Sequence, residues 1–152
     1  MKRYVLDANI YIDADRSAAK AAELEAFYNT FLSQTYVHAI VAQELLRGVA
    51  DQRRRIEVRA DYIAPFEKRG RLVTPTFTSW VRAGELVAML IARKLVDATG
   101  VAPSFLHDVL LAASCREAGM TLVTRNVVDF ERIRHVERFD FVPPWPVRSA
   151  VS

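Results

Sequence analysis

The sequence predicts an α/β protein in which a short, mainly parallel sheet lies between layers of helices. Two observations carry this. Short apolar runs alternate with longer stretches whose apolar residues recur at helical spacing. The first run, Tyr4-Val5-Leu6, is continuously apolar, as expected of a strand covered on both faces. The alternation continues from Tyr4 to Val142 with no linker, repeat or low-complexity tract, so one domain is expected over residues 1–152.

After the first strand, Leu24, Phe27, Phe31 and Leu32 repeat at helical spacing between Arg16 and Leu32, with Ala18, Ala19, Ala21 and Ala22 adding helix propensity. Thr35 to Ile40 reads as a second strand and Val41 to Arg47 as a helix stopped by Gly48. Residues 51–69 form a charged helical arm ending near Gly70, and Arg71 to Thr74 a third strand closed by Pro75. Trp80, Gly84, Val87, Ile91 and Leu95 mark one face of a long helix. Pro103 and Ser104 open another, in which Asp108, Leu111, Ala112 and Cys115 share a face and Gly119 is the stop. Thr121 to Thr124 is a fourth strand, and Phe139 to Val142 a fifth, stopped by Pro143, Pro144 and Pro146.

With 152 residues and 17.2 kDa, the chain can bury a core without disulfides or a structural metal. Its 51% hydrophobic and 26% charged residues exclude a disordered protein. A single cysteine, Cys115, excludes a disulfide framework and a cysteine-based zinc knuckle, and suits a reducing, cytoplasmic setting. The longest stretch free of Asp, Glu, Lys and Arg, Ala26 to Gln43, is too polar to span a bilayer, and Asp7 interrupts the apolar run behind Lys2 and Arg3. No membrane partner is expected. The three histidines show no metal-ligand spacing, and no glycine-rich phosphate loop occurs.

Ligands of open parallel sheets gather beyond the carboxyl ends of the strands. Asp7 directly follows the first strand, Glu44 lies one helical turn after the second, Asp108 sits early in the helix before the fourth, and Asn126 and Asp129 come just after that fourth strand. Taken singly, each suits a structural role better: Asp7 a helix cap, Glu44 a solvated helix residue, Asp108 a partner of the helix dipole, Asp129 a turn. Their joint placement shifts the balance. Carboxylates gathered at one edge repel one another unless a cation neutralises them, and Mg²⁺ binds through one or two carboxylates plus waters and phosphates. Metal-assisted phosphodiester hydrolysis is the chemistry such a set suits.

Four segments carry a family resemblance. Val5-Leu6-Asp7-Ala8-Asn9 resembles the opening of PIN-domain proteins, Glu44-Leu45 closing in Gly48 their second element, and Asp108 at the start of an Ala-rich helix their third. Thr124-Arg125-Asn126 followed by Asp129-Phe130 resembles the fourth. The four occur in order over residues 3 to 133, and size and subtype are most similar to the VapC toxins of toxin–antitoxin pairs. The resemblance implies a three-layer α/β/α PIN-like fold and a Mg²⁺- or Mn²⁺-dependent endoribonuclease that leaves 5′-phosphate and 3′-hydroxyl ends. It also implies an RNA substrate, a homodimer and a cognate VapB-type antitoxin. Asp7 and Asp108 would be the metal ligands, Glu44 would complete the acidic cluster, and Asn9 and Thr124 would orient ligands or water. The fourth acidic position of many relatives falls on the amide Asn126, which Asp129 would compensate. His107 is expected on an exposed helix turn.

Charge is uneven. Residues 47–71 hold eight basic and four acidic side chains, a local +4 that leaves −1 for the rest of a chain whose net charge is +3. Such an arm beside an acidic cleft suits a polyanion, against the alternative of a solvated helix laced with ion pairs. A catalytically weakened PIN domain that mainly binds RNA or a protein is the second reading, motivated by Asn126. A small-molecule phosphohydrolase ranks last, since it wants an Asp where Asn9 stands.

Overall fold

The three residues Tyr4–Leu6 form the central strand of the protein, as a computed structural model describing residues 1–147 makes plain. In chain order follow α1 (Ala8–Arg16), α2 (Ala18–Phe31), β2 (Thr35–His38), α3 (Ala39–Arg47) and α4 (Gln52–Val58), with Tyr4–Leu6 as β1. A π-helical turn (Arg59–Ile63) joins α4 to α5 (Ala64–Glu67). Then come β3 (Leu72–Val73), α6 (Phe77–Ala92), α7 (Pro103–Ala118), β4 (Thr121–Val123), α8 (Val127–Arg134) and β5 (Phe141–Val142). The five strands lie in the order β3-β2-β1-β4-β5, and every pairing is parallel.

This order fixes where the helices go. From β1 to β3 the chain moves one way across the sheet; from β3 it returns past β1 to β4 and β5. Right-handed crossovers place the helices of the first half on one face and α6, α7 and α8 on the other. The packing agrees: α1 lies against α2 and α3, and α7 against α6 and α8. Val5, Leu6, Leu122 and Val123 are fully enclosed between the layers, which is why their runs are continuously apolar. The reversal makes β1 and β4 the switch point of the sheet, the place where an open α/β sheet leaves a crevice beyond its strands.

Local chemistry sets the ends of the elements. Ser17 closes α1 and caps α2, its Oγ accepting from Lys20 N–H at 3.3 Å. The helix expected from Arg16 to Leu32 is α2, which starts at Ala18, and residues 8–16 form a separate helix ahead of it. Gly119 ends α7 in the left-handed region (φ 68°), and Met120 N–H reaches back to Cys115 O at 2.8 Å. The arm is helical but not regular. Pro65 at the start of α5 has no N–H and crowds the turn before it, and the chain widens there into the π turn, with Ala64 N–H bonded to Arg59 O.

The expected face of the long helix is corrected. α6 buries Ser79, Ala83, Leu86 and Leu90, while Trp80 and Gly84 are exposed and Leu95 lies beyond the helix end. Phe77, Trp80 and Val81 form an apolar outer surface instead. Trp145 packs its ring on Phe27 with centroids 5.2 Å apart. Among the described residues no helix is long and apolar enough to cross a membrane.

Candidate active site

Asp7 opens the site because β1 ends on it. Its backbone N–H still bonds across the sheet to Val123 O at 2.9 Å, so its side chain leaves the sheet beside the end of β4. Oδ1 accepts from Ala8 N–H at 2.8 Å and so caps α1. Oδ2 accepts from Thr124 Oγ1 at 2.7 Å and from Asn9 Nδ2 at 3.2 Å. Capping and site placement are thus both true of one carboxylate. Asp7 is 4% exposed; burial raises its carboxyl above the usual range, and the three hydrogen bonds work against that rise. Thr124, fully buried, also accepts from Asn126 N–H at 3.0 Å and from Asn9 Nδ2 at 3.4 Å. A single hydroxyl thereby ties the ends of β1 and β4 together.

The other predicted residues reach the same place from three helices. Asp7, Asn9, Glu44, Asp108, Asn126 and Asp129 all line one cleft of about 400 Å³, together with Arg47 and Ser104. Asn126 stands between two acids, its amide donating to Asp108 Oδ2 at 3.3 Å and to Asp129 Oδ2 at 3.1 Å. Phe130, fully buried next to Asp129, packs edge-on against Phe139 and tilted against Phe141, and anchors this start of α8. Asp129 also lies 3.8 Å from Arg132.

Electrostatics binds the group together. Burial first, then the charges of Asp7, Glu44 and Asp129, push the Asp108 carboxyl up to about 8. Burial and Asp7 raise Glu44, against the opposing pull of His107 and Arg47. Hollows of similar size beside Trp145 (about 310 Å³) and Phe77 (about 390 Å³) also carry acids, but there cations offset them: Lys20 and Arg125 pair with Glu23 and Asp13 in the first, and Arg82 and Arg116 with Glu85 and Glu137 in the second.

Two features depart from the sequence reading. His107, expected on an exposed turn, is half-buried with Nδ1 3.6 Å from Glu44 Oε1. The signal was its position next to Asp108. Half of the basic arm is engaged: Arg54 pairs with Asp15 and Glu57, Arg55 donates to Val49 O, Arg59 lies 3.6 Å from Glu67, and Arg71 donates to Leu32 O, whereas Arg47, Arg53, Lys68 and Arg69 are exposed. Arg47 and Ser104 were not singled out for the cleft, although each lies one turn from a predicted acid, Glu44 and Asp108 respectively.

The family model of the PIN domain matches residues 4–136, most of the chain and all four site segments. The chain belongs to the PIN domain family. Family members are nucleases. Among curated proteins none matches the sequence. Solved structures do resemble this PIN domain. A DNA-bound VapBC from Salmonella typhimurium is 23% identical with a TM-score of 0.70, over 94% of this chain and 98% of that one. FitAcB from Neisseria gonorrhoeae is 19% identical with a TM-score of 0.68, over 95% and 99%. VapBC2 from Rickettsia felis, bound to a promoter DNA fragment, is 20% identical with a TM-score of 0.65, over 94% and 98%. These likenesses are of fold.

The residues fit a hard divalent cation. Among the described residues no three His, Cys, Asp or Glu side chains close into a ready-made cage. Mg²⁺ does not require one: it keeps several waters and uses one or two carboxylates. The donors here are carboxylate oxygens, and burial, then the charges of Asp7, Glu44 and Asp129, raise the Asp108 carboxyl, a cost that a bound cation would relieve.

Proposed function

We propose that this PIN domain is a Mg²⁺- or Mn²⁺-dependent endoribonuclease and the VapC-type toxin of a toxin–antitoxin pair. The observation that carries the reading is the convergence of Asp7, Glu44, Asp108 and Asp129 on one cleft at the switch point of the sheet. Asp7 and Asp108 would hold the ion, with Glu44 and Asp129 completing the negative wall. The ion would supply the positive charge that activates water and offsets charge developing on the phosphodiester. Thr124 and Asn9 fix the Asp7 carboxylate through Oδ2, so that its position does not depend on substrate. Asn126, with its amide nitrogen towards both Asp108 and Asp129, lowers their repulsion without adding a charge.

The partners of this reading are RNA, a VapB-type antitoxin and a second copy of the chain, all in the cytoplasm. Two of the similar structures are named as VapBC complexes and one as FitAcB. The exposed Phe77, Trp80 and Val81 provide apolar surface for a protein contact.

The test is to incubate structured RNAs with the protein in Mn²⁺, then with EDTA, then with Asp7→Asn. Cleavage is expected in the first case alone; cleavage that survives both treatments sinks the metal–carboxylate reading. The bridging Asn126 favours one alternative, a weakened PIN domain acting mainly as an RNA- or protein-binding module. Calorimetry separates the two, since RNA affinity without Mn²⁺ binding supports the alternative.

A further inference from the structure

Four carboxylates line the cleft, and one arginine, Arg47, stands among them. It lies one turn beyond Glu44, at the end of α3, and is exposed where Asp7 is buried. The rim therefore carries a positive charge and the floor a negative one. The neighbouring cations are already engaged: Arg125 Nε lies 2.7 Å from Asp13, and Arg132 3.8 Å from Asp129. Among the described residues Arg47 has no ion pair and no side-chain hydrogen bond, so its five N–H donors face water or whatever enters the cleft. A guanidinium in that state grips a phosphate in bidentate fashion, at little cost in broken partners.

Polyanions need such a group here. A nucleic acid strand nearing the carboxylates is repelled before any reaction begins, and the arm from Arg53 to Arg71 offers little relief, because Arg54, Arg55, Arg59 and Arg71 already hold partners and Arg53, Lys68 and Arg69 do not line the cleft. We infer that Arg47 binds an RNA backbone phosphate next to the bond that is cut, and that it does so more than any arginine of the arm. This rests on the nuclease reading above for what happens at the floor of the cleft, but the binding step itself requires no metal. Its place at the rim, one turn from the acids, is why it takes the neighbouring phosphate rather than the reacting one.

The experiment is fluorescence anisotropy with a labelled single-stranded oligoribonucleotide, in EDTA, across a range of salt concentrations. Parent protein is compared with Arg47→Ala, Arg47→Lys and Arg53→Ala, the last changing an exposed arginine of α4 outside the cleft. Arg47→Ala is expected to weaken binding about tenfold and to make the plot of log Kd against log salt shallower by about 0.7, the value for one lost contact to single-stranded nucleic acid. Arg47→Lys should restore most of the slope, and Arg53→Ala should leave it as in the parent. In Mn²⁺ the Arg47→Ala defect should fall on KM more than on kcat. An unchanged slope for Arg47→Ala, an equal change for Arg53→Ala, or no binding of the probe by the parent overturns the inference. Binding that depends on Arg47 without any cleavage in Mn²⁺ overturns the nuclease reading and upholds Arg47. Cleavage with a salt slope indifferent to Arg47 does the reverse.

Discussion

Asp108 sits among three other carboxylates in a half-buried position, and its proton is held to about pH 8 where an ordinary aspartate loses it near 3.8. Between those two values the folded protein keeps a proton that the unfolded chain has released. Stability of the metal-free protein therefore has an Asp108 contribution that is favourable at low pH, declines as pH rises from about 4 to about 8, and is flat above. Asp108→Asn should remove that decline. Thermal melts in EDTA from pH 4 to pH 9 should show the variant gaining on the parent as pH rises, while losing nuclease activity. A variant that tracks the parent at every pH would mean that Asp108 is not crowded by the other acids. Such costs at a cleft are what a binding site leaves in the sequence, and they explain why Asp7, Glu44 and Asp108 were legible there. Asp7 follows a strand end directly, and Glu44 and Asp108 lie within two turns of a helix start. Arg47 was harder to read, because nothing local distinguishes it from Arg53; the difference lies in what each side chain meets in space.

At the scale of the element, α3 delivers Glu44 and Arg47, and its start depends on a buried histidine. His38 caps α3 by accepting Ile40 N–H on Nδ1 at 3.1 Å, which leaves the proton on Nε2 to meet Ser114 Oγ at 2.8 Å. Burial pushes His38 down to about 4 from the usual 6.5. Its contribution to stability is complete above pH 6.5 and is lost as pH falls from there towards 4, because the unfolded chain takes up the proton first. His38→Asn, which retains a cap, should flatten this acid loss in denaturant titrations at pH 7 and pH 4.5. Ser114→Ala should cost about 1–3 kcal/mol at pH 7 by leaving the Nε2–H unpaired. The elements themselves were mostly legible, since strand runs and the αL glycine at position 119 are local signals. The face of α6 was not, because apolar residues lie on both sides of it, and only packing against α7 selects Ala83, Leu86 and Leu90 over Trp80. The partners of the arm's arginines were equally hidden. The partner of Arg54 is Asp15, on α1 and 39 residues away.

The whole molecule couples the cleft to its core. Leu122 is fully enclosed on β4, the strand whose next turn supplies Thr124. Leu122→Ala should cost about 2–5 kcal/mol through the cavity it leaves. Because the cleft is built on strand ends rather than on a separate lid, activity and near-ultraviolet circular dichroism should be lost at the same denaturant concentration. Activity lost well before the fold would show that the acids are held by something more labile than the sheet. The bond between Thr124 and Asp7 spans 117 positions of the chain. A growing polypeptide that has emerged only as far as α7 thus carries three of the four acids but lacks the hydroxyl that seats the first of them. A cleft assembled from both halves of the chain therefore comes into being only after β4 and the start of α8 have been made.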